Sequence, residues 1–252
     1  MIDVSLLKQI CEIPGAPGFE KPVRDLVVSL VSPHVDEVRI DNIGNVIALK
    51  KGTRNPDGKR VMLAAHLDEI GFIVSHIDEQ GFLRFNTLGG FDPKTLTAQR
   101  VIVHGKKDLI GVMGSKPIHV MTAEEKTKLP KTTDFFIDLG MPKEEVDKYI
   151  TIGDPVTRDR ELIEMGDCVN CKSIDNRVAV FIVIEALKQL KNPAYDVYAA
   201  FTVQEEVGIR GANVAAHQIN PDFGIALDTT IAFDVPGAAP HEKVTELGKG
   251  TA

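Results

Sequence analysis

Tyr198-Ala-Ala-Phe-Thr-Val-Gln-Glu-Glu-Val-Gly208 is the stretch on which the reading of this chain turns. An apolar run rich in strand formers stops abruptly at two adjacent carboxylates, Glu205 and Glu206, and a helical pattern follows over 208–219. A strand that feeds directly into a helix is the repeating unit of an α/β sheet. At the mouth of a buried strand two neighbouring acids repel each other and lose hydration, so they need protons or cations nearby. A metal site meets that need. A solvated turn carrying two acids is the alternative, and the rest of the chain has to decide between them.

Working outward, two more apolar strands finish in ionisable groups. Residues 60–65 run into His66-Leu-Asp68, and 223–227 into Asp228-Thr-Thr. At a period of two, His66 and Asp68 project from the same side of their strand, a possible metal ligand beside a group that orients it. A hydrogen-bonded strand-end His with an Asp capping the next turn reads equally well from that stretch alone. Ser173-Ile-Asp-Asn-Arg177 leads into a strongly apolar helix over 178–190, which puts Asp175 at a helix N-terminus, where a plain N-cap is the simple expectation. Upstream, helical spacing over 4–13 and 20–31 is interrupted by Pro14-Gly-Ala-Pro-Gly18, and extended runs at 36–40 and 46–49 form a hairpin around Asp41-Asn-Ile-Gly-Asn45. The expected fold is α/β, a sheet sandwiched by helices.

Between about 70 and 163 the texture changes. Short alternating runs at 71–75, 81–85, 100–104, 109–113 and 134–138 are separated by Gly, Pro and charged turns, with one short helix over 142–149. This reads as a small all-β domain, 70–163, inserted into a catalytic α/β domain made of 1–69 and 164–252.

Composition narrows the function. With 29 Lys and Arg against 36 Asp and Glu, the net charge of -7 argues against an electrostatic nucleic-acid binder. The start Met1-Ile-Asp-Val lacks a basic secretory leader, and no apolar run is long enough to span a membrane. Three cysteines do not make a disulfide framework in a chain this size, so a cytoplasmic location is expected. Cys168-Val-Asn-Cys171 has C-x-x-C spacing but no second pair at zinc-finger distance, and structural or free thiols are expected there.

In open α/β sheets the carboxyl ends of parallel strands lie along one edge, so His66, Asp68, Asp175, Glu205, Glu206 and Asp228 can converge. Divalent cations would relieve that crowding of charge, and imidazole with carboxylates suits zinc, cobalt or manganese. Two such ions are the machinery of aminopeptidases and related hydrolases. One of the adjacent acids Glu205 and Glu206 would bind metal while the other takes a proton from water.

With these residues in view, the chain resembles the TET-type dinuclear-metal aminopeptidases, which include glutamyl and deblocking aminopeptidases. Cys11-Glu-Ile-Pro-Gly-Ala-Pro-Gly-Phe-Glu20, Ala65-His-Leu-Asp-Glu-Ile-Gly-Phe-Ile-Val74, Ser173-Ile-Asp-Asn-Arg177, Thr202-Val-Gln-Glu-Glu-Val-Gly-Ile-Arg-Gly-Ala212 and Ala226-Leu-Asp-Thr-Thr230 carry the likeness. The resemblance implies that His66 and Asp228 hold one metal, Glu206 helps hold a second and Asp175 bridges them. It also implies Glu205 as general base and Asp68 as the partner that orients His66. Zinc or cobalt, peptide substrates, an inserted domain for dimer contacts and substrate access, and dimers assembling into a twelve-subunit shell are expected on the same ground. The family has a further histidine beyond the counterpart of Asp228; the sequence ends before it, so a C-terminally truncated chain with weak or no turnover is expected. An inactive assembly protein on the same fold and, less well supported, an endoglucanase-type glycoside hydrolase are the competing readings. Glu205 and Glu206, being adjacent, are poorly placed to flank a sugar, and His66 has no task in that chemistry.

Overall fold

A computed structural model describes residues 2–250. Asp3 accepts a hydrogen bond from the Leu6 amide at 3.0 Å and caps helix α1 (Val4–Glu12). Pro22 stands in the first turn of α2 (Lys21–Val31), where its missing N–H costs nothing, and Val23, Val27 and Val31 recur at helical spacing on the buried face. The hairpin of β1 (Glu37–Ile40) and β2 (Val46–Lys50) is closed by Asp41, whose Oδ1 accepts from the amides of Ile43, Gly44 and Asn45.

These two strands join β3 (Arg60–His66), β12 (Asp196–Thr202) and β13 (Phe223–Ala226) in one sheet, ordered β1-β2-β12-β3-β13. β2 runs antiparallel to β12, whereas β3 lies between β12 and β13 and is parallel to both. Helices cover both faces. α1, α2 and α5 (Ile174–Gln189) bury Ile10, Val27, Ile184, Ala65 and Phe201 on one side. On the other side α6 (Arg210–Ile219) packs Ala215 and Ile219 on Ile47, Met62 and Ala200. Each large aliphatic or aromatic side chain so buried contributes about 1.5–3 kcal/mol.

Between β3 and α5 the chain forms a closed barrel, β4-β5-β8-β7-β6-β9. Its strands are β4 (Gly71–Ile77), β5 (Leu83–Leu88), β6 (Arg100–His104), β7 (Asp108–Ser115), β8 (Phe135–Asp138) and β9 (Pro155–Arg158). Strict alternation along β7 turns Leu109, Gly111 and Met113 inward and leaves Asp108, Ile110 and Val112 outside. Phe72 fills the interior, edge-on to Phe85 and stacked on Phe91. Two short helices decorate the barrel: α3 (Ala123–Thr127), held by a Thr122–Glu125 capping box, and α4 (Lys143–Tyr149).

The alternating runs expected for the β region all appear as strands, but the barrel closes through β9, which the sequence reading omits. Asp154-Pro155 looks like a turn, and Pro155 is tolerated because it is the first residue of its strand. A small hairpin of β10 (Ile163–Met165) and β11 (Cys168–Asn170), also unanticipated, leads back to the α/β half. Among the described residues no helix is long and apolar enough to cross a membrane.

Candidate active site

The register of three parallel strands builds the site. His66 ends β3 directly opposite Thr202 of β12, and Ala226 of β13 pairs with Ala64, so the residues just beyond all three strands share one edge. Around the buried His66 ring, Nε2 lies 3.1 Å from Asp175 Oδ1, 3.8 Å from Glu205 Oε2 and 4.0 Å from Asp228 Oδ1. Two sets of side chains have ligand atoms within 4.8 Å of one another, His66 with Asp175 and Asp228, and His66 with Glu205 and Glu206. His66, Asp175, Glu205, Glu206 and Asp228, singled out in the sequence, therefore meet, and the second set brings both adjacent acids to the imidazole.

Asp68 acts differently from the strand-alternation argument. It lies past the end of β3, and His66 Nδ1 makes its shortest contact, 3.0 Å, with the Asp68 carbonyl, against 3.5 Å to the carboxylate. A carbonyl only accepts, so Nδ1 carries the hydrogen and Nε2 is left for a cation or a proton. The Asp68 carboxylate accepts from the Glu205 and Glu206 amides, each at 3.0 Å. One residue thus fixes the imidazole and both acids of the following loop.

Asp175 is not an N-cap. Ser173 occupies that position, and Asp175 (ψ 109°) leaves helical geometry at the start of α5, joined to Asn176 by a cis peptide. Asn176 donates its side-chain amide to the Leu227 carbonyl at 2.8 Å, tying the segment of Asp175 to the one that carries Asp228.

Several buried charges that pattern reading passed over hold this arrangement. Glu20 Oε1 accepts from the amides of Gly18 and Gln204, which clamps the segment after α1 onto the loop bearing Glu205. That loop is flanked by Gln204 and Ile209 in left-handed backbone conformation, φ 56° at each, a cost of about 1–3 kcal/mol per residue that surrounding contacts must offset. Arg177, fully buried, donates to the carbonyls of Leu67, Ile10 and Ile13. Beside it Glu69 pairs with the buried Lys172 and lies 3.9 Å from the guanidinium. A Cβ on Gly15 would come within 2.7 Å of Arg177 Nη2, so the glycine of Pro14-Gly15 makes room for that cation as well as breaking a helix.

Among the described residues the acids of the cluster have His66 as a basic neighbour but no lysine or arginine: none of Asp175, Glu205, Glu206 and Asp228 forms an ion pair with Lys or Arg. Burial and then the Asp175 carboxylate push Glu206 up to about 7, and burial likewise raises Glu205. Burial opposes charge on His66, yet its hydrogen bonds to Asp175 and Asp68 lift it to about 10. Asp175 is lowered, chiefly by its bond to His66. An imidazole alone neutralises at most one of these carboxylates, and the donor set of one nitrogen with several carboxylate oxygens fits divalent cations that would neutralise the rest. Asp175 and Asp228 are about half exposed, which leaves the cluster open to solvent.

Known proteins resemble the chain along nearly all of its length. The family model described as M42 glutamyl aminopeptidase matches residues 44–252. A lysyl aminopeptidase of Pyrococcus furiosus is 38% identical over 261 residues, which span 99% of this chain and 72% of the relative. The solved aminopeptidase APDkam598 from the archaeon Desulfurococcus kamchatkensis superposes with a TM-score of 0.92 at 43% identity, covering 98% of this chain and 68% of that one. The TET1 peptidase of Pyrococcus horikoshii, described as able to assemble into a tetrahedron or a large octahedral shell, gives a TM-score of 0.81 at 31% identity, over 92% and 72% of the two chains.

Proposed function

The chain belongs to the M42 glutamyl aminopeptidase family, and from that premise we propose that it removes N-terminal residues from peptides with two divalent cations, zinc or cobalt, held at the sheet edge and Glu205 as general base. His66 and Asp228 would hold one cation, Glu206 would help hold the other, and Asp175 would bridge them. One observation carries the reading above the rest: a single buried imidazole is shared by two groups of carboxylates, Asp175 with Asp228 and Glu205 with Glu206. Cations bound there supply Lewis acidity that polarises a peptide carbonyl and lowers the pKa of water.

The remaining work falls to side chains. Glu205 is about a third exposed and so can reach a substrate. Its backbone is pinned by Asp68, and its carboxylate takes a proton from the attacking water and returns it to the leaving amine. Asp68 keeps His66 in one tautomer and both acids in place, and Glu20 holds the same loop from the other side. Assembly belongs to the same reading. Ile110, Val112, Ile118 and Val120 are exposed on or beside the barrel, which supports a dimer contact through the region 70–163 and a larger shell built from such dimers.

Glu205→Gln should lower turnover of aminoacyl substrates by about 10²–10⁴-fold while metal content stays near that of the parent. Asp175→Asn should deplete both cations. Equal metal loss in the two variants would make Glu205 a ligand instead, and cleavage of a glycosidic substrate that survives a chelator would overturn the peptidase reading.

A further inference from the structure

Two thiols that the proposed mechanism does not use belong to one packed cluster beside the site. Cys11 lies in the last turn of α1 and is fully buried, while Cys171, on the segment between β11 and α5, is partly exposed and packs against the core cluster that contains Cys11. Ser173 Oγ donates to the Cys11 carbonyl at 2.5 Å, which pins the two stretches of chain together within two residues of Cys171. The two thiols lie near enough for each to shift the other's ionisation. Buried Lys172 directly follows Cys171, buried Arg177 donates to the Ile10 and Ile13 carbonyls on the two sides of Cys11, and Arg158 donates to the Lys172 carbonyl.

We propose that Cys171 and Cys11 form a redox site in which Cys171 is the peroxide-reactive thiol, Cys11 resolves it, and the product is a disulfide between α1 and the segment that leads to Asp175.

The chemistry balances. The Cys171 thiolate attacks one oxygen of hydrogen peroxide, the O–O bond breaks, hydroxide leaves and a sulfenic acid forms on Cys171. The Cys11 sulfur then displaces that hydroxyl, its proton leaves with it as water, and the S–S bond closes. Peroxide is reduced by two electrons and the two thiols are oxidised by one each.

The surroundings favour this division of roles. Interaction with the neighbouring Cys11 thiol pulls Cys171 down to about 6 against burial; the Ser173 and Lys172 amides and the Lys172 charge act in the same direction. Cys11 is pushed the opposite way, first by that same interaction and then by burial. A competing contact from Cys171 Sγ to the Arg160 carbonyl is 4.0 Å long, too weak to hold the proton on Cys171. A partly exposed, low-pKa thiol beside a buried partner is the arrangement of redox-sensing cysteines. Exposed Cys168, two residues before Asn170 in the same C-x-x-C stretch, supplies an internal control.

The full chain as purified, treated with a small excess of hydrogen peroxide and digested without reductant, should yield a cross-linked Cys11–Cys171 peptide, with two thiols lost and then restored by dithiothreitol. Iodoacetamide at neutral pH should label Cys171 about fivefold faster than Cys168, although Cys168 is the more exposed. Cys11→Ala should stop the reaction at a sulfenic acid on Cys171 that dimedone traps. Cys171→Ser should keep both remaining thiols at the same dose. A Cys168–Cys171 cross-link, or no loss of thiols until the protein is unfolded, would overturn the proposal. Should Cys11→Ala fail to fold, the peptide map of the parent protein alone decides.

Discussion

The two halves of the molecule handle charge in opposite ways. In the α/β half, charged or ionisable groups are sealed inside: Arg177, Glu69, Lys172, Asp68, Glu20 and His66 are all buried. The barrel half encloses Phe72, Leu83, Val101, Met113, Ile137 and Val156, and keeps its ion pairs, Lys116–Glu125 and Lys143–Asp147 among them, at the surface. A hydrophobic interior needs only shape and volume to be stable. A buried charge network costs desolvation and gains stability only when every member is matched, so its presence points to a demand for position. Here the network runs from Ile10 through Arg177 to Leu67, the residue between His66 and Asp68.

The largest test of that contrast is Arg177→Met. Removing the guanidinium leaves three backbone carbonyls without their donor and Glu69 with Lys172 alone, and the expected loss is about 3–5 kcal/mol in chemical denaturation, with metal binding weakened in whatever fraction still folds. A loss below about 1 kcal/mol would mean that the network is dispensable and the contrast false. In the barrel, Ile137→Val removes one methylene-sized group from a packed interior and should cost about 0.5–1.5 kcal/mol, with no change in metal stoichiometry. A change in metal content there would show that the barrel interior, too, sets the geometry of the acids. Smallest of all, Lys143→Met breaks an exposed pair along α4, 2.8 Å to Asp147, and should leave the denaturation midpoint unchanged within error.

How much of this was legible in the sequence follows the same division. Alternation in the barrel strands and the apolar runs 60–65 and 196–202 were readable because solvent and core select residues at a fixed period. The convergence of His66, Asp175, Glu205, Glu206 and Asp228 was readable because parallel strands must end on one edge. Glu69, Lys172 and Glu20 gave no such signal. A single charged residue is assigned to the surface by its type, and only the fold reveals that Lys172 finds Glu69, 103 residues away in sequence. Arg177 left a trace, since a cation opening the most apolar helix of the chain faces either the core or nothing. Asp175 was placed near the right helix end, but the plain N-cap that capping rules suggest for it does not form, because those rules assume a regular first turn and residues 175–176 depart from helical angles.

Gly89 follows β5 at φ 95°, and a Cβ there would sit 2.6 Å from Ile70 Cγ2 and 3.3 Å from Glu206 Oε2. Bare backbone of the barrel half is therefore a wall of the carboxylate cluster in the other half. Random mutagenesis scored on catalysis alone would return hits at this position, although glycine brings no functional group, and a library confined to the charged residues would never sample it.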